Sequence, residues 1–280
     1  MIRRTTIAGI GLFFVSVCLT IPLGSQSLAL AQTANRTTDP AKSLPLDQLA
    51  PRDRESVAEV IGNPTFHRRG QPDSFPCNPR LYLALVNQPL LTLALWKDLS
   101  PSPVTLREIT PGNFQGSNNN GAEVGGRFLI RTPSLHLVLS NFTYNGPRGN
   151  LRLDGRIVIV LRTAYFKEPQ GEYWVRHDLE VFVKIDTRGW RALARSARPI
   201  VEKYLEDQVQ EGGWFVSLMS RLVVTYPNWA GDVAQNQNGV PLGARKAFLA
   251  LVAQLRKPDA SPGRPQVVAE NSDSPPPQRR

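Results

Sequence analysis

The hydrophobic period of this chain changes at Val104 and again at Thr187, and these changes most narrow what it can fold into. From Val104 to Asp186 apolar residues recur at every second position, whereas from Thr187 they recur at helical spacing. The stretch Glu172 to Asp186 alternates most cleanly. Tyr173, Val175, His177, Leu179, Val181, Val183 and Ile185 share one face; Glu172, Arg176, Asp178, Glu180, Lys184 and Asp186 share the other. An antiparallel sheet with one face buried produces that pattern. Val104–Ile109, Arg127–Thr132, Leu135–Tyr144 and Leu151–Phe166 read as further strands, with a Gly/Asn loop at Gly112–Gly126. Ile157 to Leu161 is apolar on both faces, as a central strand requires.

Thr187 is a good helix N-cap. Beyond it Trp190, Leu193, Ala194, Ala197, Ile200, Val201, Tyr204 and Leu205 form one apolar stripe, and Trp214, Phe215, Leu218, Met219, Leu222, Val223 and Tyr226 form a second. Unbroken, residues 187–226 would span roughly 60 Å. Pro199 and Gly212-Gly213 therefore predict a kink. Upstream, Arg80–Leu99 is strongly apolar with Pro89 inside it, which predicts two short helices meeting at Asn87–Pro89. Leu46–Ile61 predicts a short helix with Pro51 in its first turn and Val57, Val60 and Ile61 on its apolar edge. Asn63–Pro79 carries four prolines and reads as an irregular ordered arm. The expected fold is α+β: a helix pair, an antiparallel meander of five or more strands, and a long kinked C-terminal helix.

Composition enters through the N-terminus. Arg3 and Arg4, the apolar stretch Ile7–Leu23 and the Ala29-Leu30-Ala31 end read as a secretory signal cleaved before Gln32, against the alternative of a retained membrane anchor. Val17 before Cys18 is too large for a lipoprotein processing site. Removing residues 1–31 takes away two arginines and no acid, so the formal charge falls from +10 to +8 and Cys77 is left as the lone cysteine. Its apolar, proline-rich surroundings favour burial as a small hydrophobe. At 280 residues and 41% hydrophobic content, neither a disordered chain nor a disulfide scaffold fits. The expected organisation is a signal at 1–31, a linker at 32–44, an arm with a short helix at 45–79 and an α+β domain at 80–230. A linker at 231–243, a short helix at 244–256 and a disordered tail at 257–280 complete it.

The order of elements across Arg80–Ala230 resembles the helix-grip fold of the START-like superfamily of lipid-transfer domains and polyketide cyclases. The resemblance is carried by the helix pair ending at Trp96-Lys97-Asp98-Leu99, the meander, and the apolar helix starting at Trp190. The stretches Trp174–Phe182 and Trp214–Leu222 also look like those of uncharacterised exported bacterial proteins. The resemblance implies a curved sheet wrapped around a terminal helix with a hydrophobic cavity between them. The superfamily usually begins with a strand before the helix pair, where this chain has its proline-rich arm.

His177, polar on the apolar face, is a candidate to orient a ligand head or act as a base; its bland reading is a core histidine bonded to Tyr173 or a backbone carbonyl. His136, alternating with Val138 and Phe142, is a weaker candidate. The three histidines lack metal-ligand spacing, no Gly-x-Ser-x-Gly elbow or phosphate loop is present, and no cofactor is implied. Asp178 and Glu180 read as solvated charges. Arg188, Arg191, Arg195 and Arg198 form a helical stripe suited to an anionic surface, or a solvated face balanced by Glu202, Glu206 and Asp207. Nucleic acid is disfavoured. The leading expectation is an exported binding protein holding an apolar or lipid-like ligand against Tyr173, His177, Trp190, Leu193, Trp214 and Met219. The alternatives are an envelope structural or assembly factor contacting other proteins, and an enzyme on the same scaffold.

Overall fold

The computed structural model describes residues 43–255 apart from 101, 119–120, 146–151, 188–208, 210–211, 213 and 238. After a single 3-10 turn at Leu46–Gln48, helix α1 covers Pro51–Gly62. Strands β1 (Phe66–Arg69) and β2 (Asp73–Pro76) lead to α2 (Pro79–Asn87) and α3 (Pro89–Leu99). The meander follows: β3 (Thr105–Thr110), β4 (Asn113–Ser117), β5 (Ala122–Arg131), β6 (Leu135–Asn145), β7 (Arg152–Lys167) and β8 (Tyr173–Ile185). Helix α4 (residues 214–225), α5 (Pro227–Gln235) and α6 (Leu242–Leu255) close the described chain. The sheet is antiparallel in the order β1-β8-β7-β6-β5-β4-β3, with β2 also on β8. The fold is α+β, with a topology compatible with a helix-grip arrangement.

The proline-rich arm is the main correction. It is a split edge strand: Phe66–Arg69 pairs with Val183–Glu180, and Asp73–Pro76 pairs with His177–Trp174. Proline is tolerated there because an edge strand has one side without ladder bonds. Pro72 lies in the break, Pro76 ends β2, and Pro79 sits in the first turn of α2, where a missing N–H costs nothing. The Gly112–Gly126 loop is a second correction, since it contains β4 and the start of β5. A side chain at Gly116 would meet the Thr105 carbonyl at 2.9 Å, so this glycine permits close strand approach, while Gly121 turns the chain at φ +84°. Pro227 opens α5, so Gly231–Gln235 is helical and not linker. The kink expected at Pro199 lies outside the described residues.

Helices lie on both faces of the sheet. On the inner face α2 to α6 pack against Val138, Phe142, Ile159 and Leu161. On the outer face α1 places Val57, Val60 and Ile61 over Leu137, Leu139, Val158, Val160 and Phe182. Burying each of these three helix side chains contributes about 2 kcal/mol. This cover overturns the reading of Asp178 and Glu180 as solvated: they are 9% and 4% exposed. Buried carboxylates need partners. Arg69 pairs with Asp178, while Glu180 takes Arg162 at 2.7 Å and His67 at 2.9 Å.

Ion pairs hold α1 at the rim of the same face. Glu59 accepts from Arg156 and Lys184, each at 2.7 Å, and Asp53 pairs with Arg127. The two cations hold the Glu59 carboxyl down at about 2, against an ordinary 4.5. A depressed folded-state pKa gives docking stability that is present above the ordinary value and lost as pH falls through the folded one. Amide exchange protection of α1 is therefore expected to fall between about pH 4.5 and pH 2. In Glu59→Gln protection should be lower at neutral pH and this acid-dependent fall should shrink; an unchanged fall would refute the assignment.

Candidate functional site

His177 is a core residue. It projects from β8 onto the inner face, is 1% exposed, and meets the edge of the Phe75 ring with centroids 5.4 Å apart. Its Nδ1 lies 3.1 Å from the hydroxyl of Tyr82, which also lies 3.2 Å from Thr163 Oγ1. The partner is Tyr82 of α2 and not Tyr173, because residues four apart along a strand are separated by roughly 13 Å. Burial pushes the Tyr82 phenol far up, so it stays a neutral hydroxyl. Met219 is wholly buried in the same core. Tyr173 and Trp214 instead face solvent, 46% and 60% exposed, the former beneath the Lys167 ammonium. Trp190, Leu193 and the four stripe arginines, Arg188, Arg191, Arg195 and Arg198, lie outside the described residues. Cys77 is buried with its thiol pushed up to about 11, which leaves it a small hydrophobe with no nucleophilic character near neutral pH.

The cavity of the inner face lies elsewhere. Leu85 and Val86 of α2, Pro89 and Thr92 of α3, and Val216 of α4 form one wall; Phe128 of β5, His136 and Val138 of β6, and Ile159 and Leu161 of β7 form the other. Its volume is about 20 Å³, room for about one water molecule. Phe128 is the one half-buried lining residue and marks the mouth, where the Arg131 guanidinium sits 4.6 Å above its ring. Tyr173, His177, Trp214 and Met219, the four described residues expected to line a cavity, are not part of the lining of this one.

His136 supplies the polar chemistry of this cleft. It is 2% exposed and stands edge-on to Phe128, with centroids 6.1 Å apart. Asn87 Oδ1 accepts from His136 Nε2 at 3.0 Å, so the ring proton belongs on Nε2. Nδ1 is buried and has no hydrogen-bond partner among the described residues. Burial, with Arg131 nearby, pushes the imidazole down to about 4, so it is neutral near pH 7. Thr92 is already committed, its hydroxyl donating to the Leu85 carbonyl at 2.7 Å. The helix break read at Asn87–Pro89 is what aims Asn87 at this histidine. The sequence signal for His136 was its inner-face alternation with Val138 and Phe142, less regular than the alternation around His177. Among the described residues no three His, Cys, Asp or Glu side chains come together to hold a metal ion.

No family model and no curated protein sequence matches this chain. Solved structures do. A hypothetical protein from Helicobacter pylori is similar over 69% of this chain and 98% of its own, at 8% identity and a TM-score of 0.37. An uncharacterised protein from Rhizobium leguminosarum matches over 55% and 96%, at 13% identity and 0.29. The di-domain aromatase/cyclase BexL of the BE-7585A biosynthetic pathway matches over 60% and 56%, at 16% identity and 0.35. At these scores the fold class stands on the strand order and register of the chain itself.

The Tyr82–His177 contact is structural. Tyr82→Phe is expected to cost about 1 kcal/mol and His177→Ala about 2–4 kcal/mol in urea unfolding. A stability loss below about 0.5 kcal/mol for His177→Ala would contradict a packed core role.

Proposed function

We propose that this is an exported binding protein that takes a compact, mainly apolar small molecule into the cleft between α2–α3 and strands β5–β7. The observation that carries the reading is a cleft walled by apolar side chains with a single neutral imidazole among them. Pockets for drug-sized ligands enclose about 300–1,000 Å³. The resting cavity of about 20 Å³ is far smaller, which favours a ligand of one or two rings over an extended acyl chain. Entry requires the half-buried Phe128 ring to move outward, the least costly displacement in the lining because the other walls belong to packed helices and central strands. Export rests on the N-terminal signal pattern, and the mature chain would start at Gln32.

Two measurements test this. Intact mass of protein recovered from the envelope or medium should show loss of residues 1–31; a full-length mass in those fractions would sink the export half. Naphthalene added to the protein should shift the NMR signals of Val138, Ile159 and Val216, and Val216→Phe should weaken that binding at least about fivefold by filling the cleft. Val138→Leu offers a milder filling variant. Shifts that survive both variants, or that cluster elsewhere, would overturn the ligand assignment.

A further inference from the structure

Resting on that binding reading, we infer that His136 Nδ1 selects the ligand by accepting a hydrogen bond. The class it fits is a compact cyclic or aromatic molecule bearing a neutral O–H or N–H donor, with carboxylates and donorless analogues discriminated against. The direction of selection follows from the Asn87 contact. Asn87 Oδ1 accepts the Nε2 proton, which leaves Nδ1 with a lone pair and, among the described residues, no partner to bond it. An unpaired buried acceptor costs free energy that a ligand donor recovers on binding. A ligand carbonyl or ether oxygen facing the same nitrogen would place two lone pairs together and recover nothing.

The rest of the cleft reinforces the choice. No charged side chain lines it among the described residues, and the Thr92 proton is already given to Leu85. A carboxylate drawn to His136 would therefore lose its hydration with no cation in the cleft lining to replace it, because the guanidinium of Arg131, the cross-strand partner of His136, lies over the Phe128 ring. Arg131 is exposed, and its guanidinium lies over the Phe128 ring at the mouth. An anion paired with it would stay at the rim and leave the His136 signals untouched. The neutral state of the imidazole keeps the acceptor available across the physiological range.

The test is a matched series on the full mature protein: cyclohexanol, methoxycyclohexane and cyclohexanecarboxylate, followed by NMR titration. Cyclohexanol is expected to bind roughly tenfold or more tightly than the ether, with the carboxylate weakest at the cleft. Free His136 should show a pyridine-type Nδ1 and a pyrrole-type Nε2 in its nitrogen-15 spectrum, with Nδ1 shifting on addition of cyclohexanol and not of the ether. His136→Phe should equalise alcohol and ether while keeping ether affinity, and Asn87→Asp, which preserves the acceptor for Nε2, should keep the alcohol preference. Equal alcohol and ether affinities in the wild type, or a protonated Nδ1, would overturn the role of His136 while leaving the cleft as a binding site. If none of the three ligands shifts cleft signals, the binding reading itself fails.

Discussion

Thirteen residue pairs join β7 to β8, from Gly155–Ile185 at one end to Lys167–Tyr173 at the other, and the remaining structure is organised around this ladder. Its central stretch is covered on both sides. Ile157, Ile159 and Leu161 face the helices α2 to α6, while Val158 and Val160 lie under α1. Because side chains alternate, a slip of one residue in this register would exchange the two faces. His177 would leave Tyr82, and Glu180 would leave Arg162. The register is thus held at once by two apolar cores and by polar contacts on each face.

The two faces solve the burial of polar groups differently. On the outer face full charges are paired: Glu180 sits between Arg162 and His67, and the His67 ring stacks on Phe182 with centroids 4.4 Å apart. Removing one member of such a set leaves a buried charge without compensation, which costs more than the pair contributes. On the inner face the groups are neutral. Burial pushes Tyr82 up and His136 down, and both stay uncharged. A neutral face is the one compatible with apolar contents, so any ligand cavity belongs on the helix-covered side.

Much of this was legible in the sequence, and what was hidden shares one cause. The alternation in β8, the break at Asn87–Pro89 and the apolar edge of α1 are local patterns, and each element forms where its pattern lies. The edge strand was obscured because prolines signal loops in general, while the exemption for an edge depends on which strand lies beside it. β4 was obscured because Gly116 looks like loop composition until the Thr105 carbonyl is placed against it. The buried carboxylates Asp178 and Glu180 find partners in Arg69 and His67, more than a hundred residues upstream. Likewise His136 looked weaker than His177 because its periodic context is poorer. Their partners are Asn87 and Tyr82, and their surroundings reverse that order of interest: His136 lines the inner-face cavity and His177 does not.

Those two partners also decide which part of the inner face can yield. Tyr82 and Asn87 lie in one helix, five residues and roughly 7.5 Å of rise apart, and each bonds a histidine of a different strand. α2 is therefore pinned to β8 at one end and to β6 at the other, with Leu85 and Val86 buried between. Among the described residues the polar side chain that α3 brings to the cleft, Thr92, bonds back to α2 through Leu85. Opening the cleft by moving α2 would break two buried hydrogen bonds, each expensive to leave unmade. Movement of the Phe128 ring, with α4 at Val216 giving way behind it, breaks none of them. The rigid part is thus α2, which carries the acceptor's support, and the yielding part is the Phe128 ring. That division lets a site adapt to ligand shape while keeping its hydrogen-bond direction fixed.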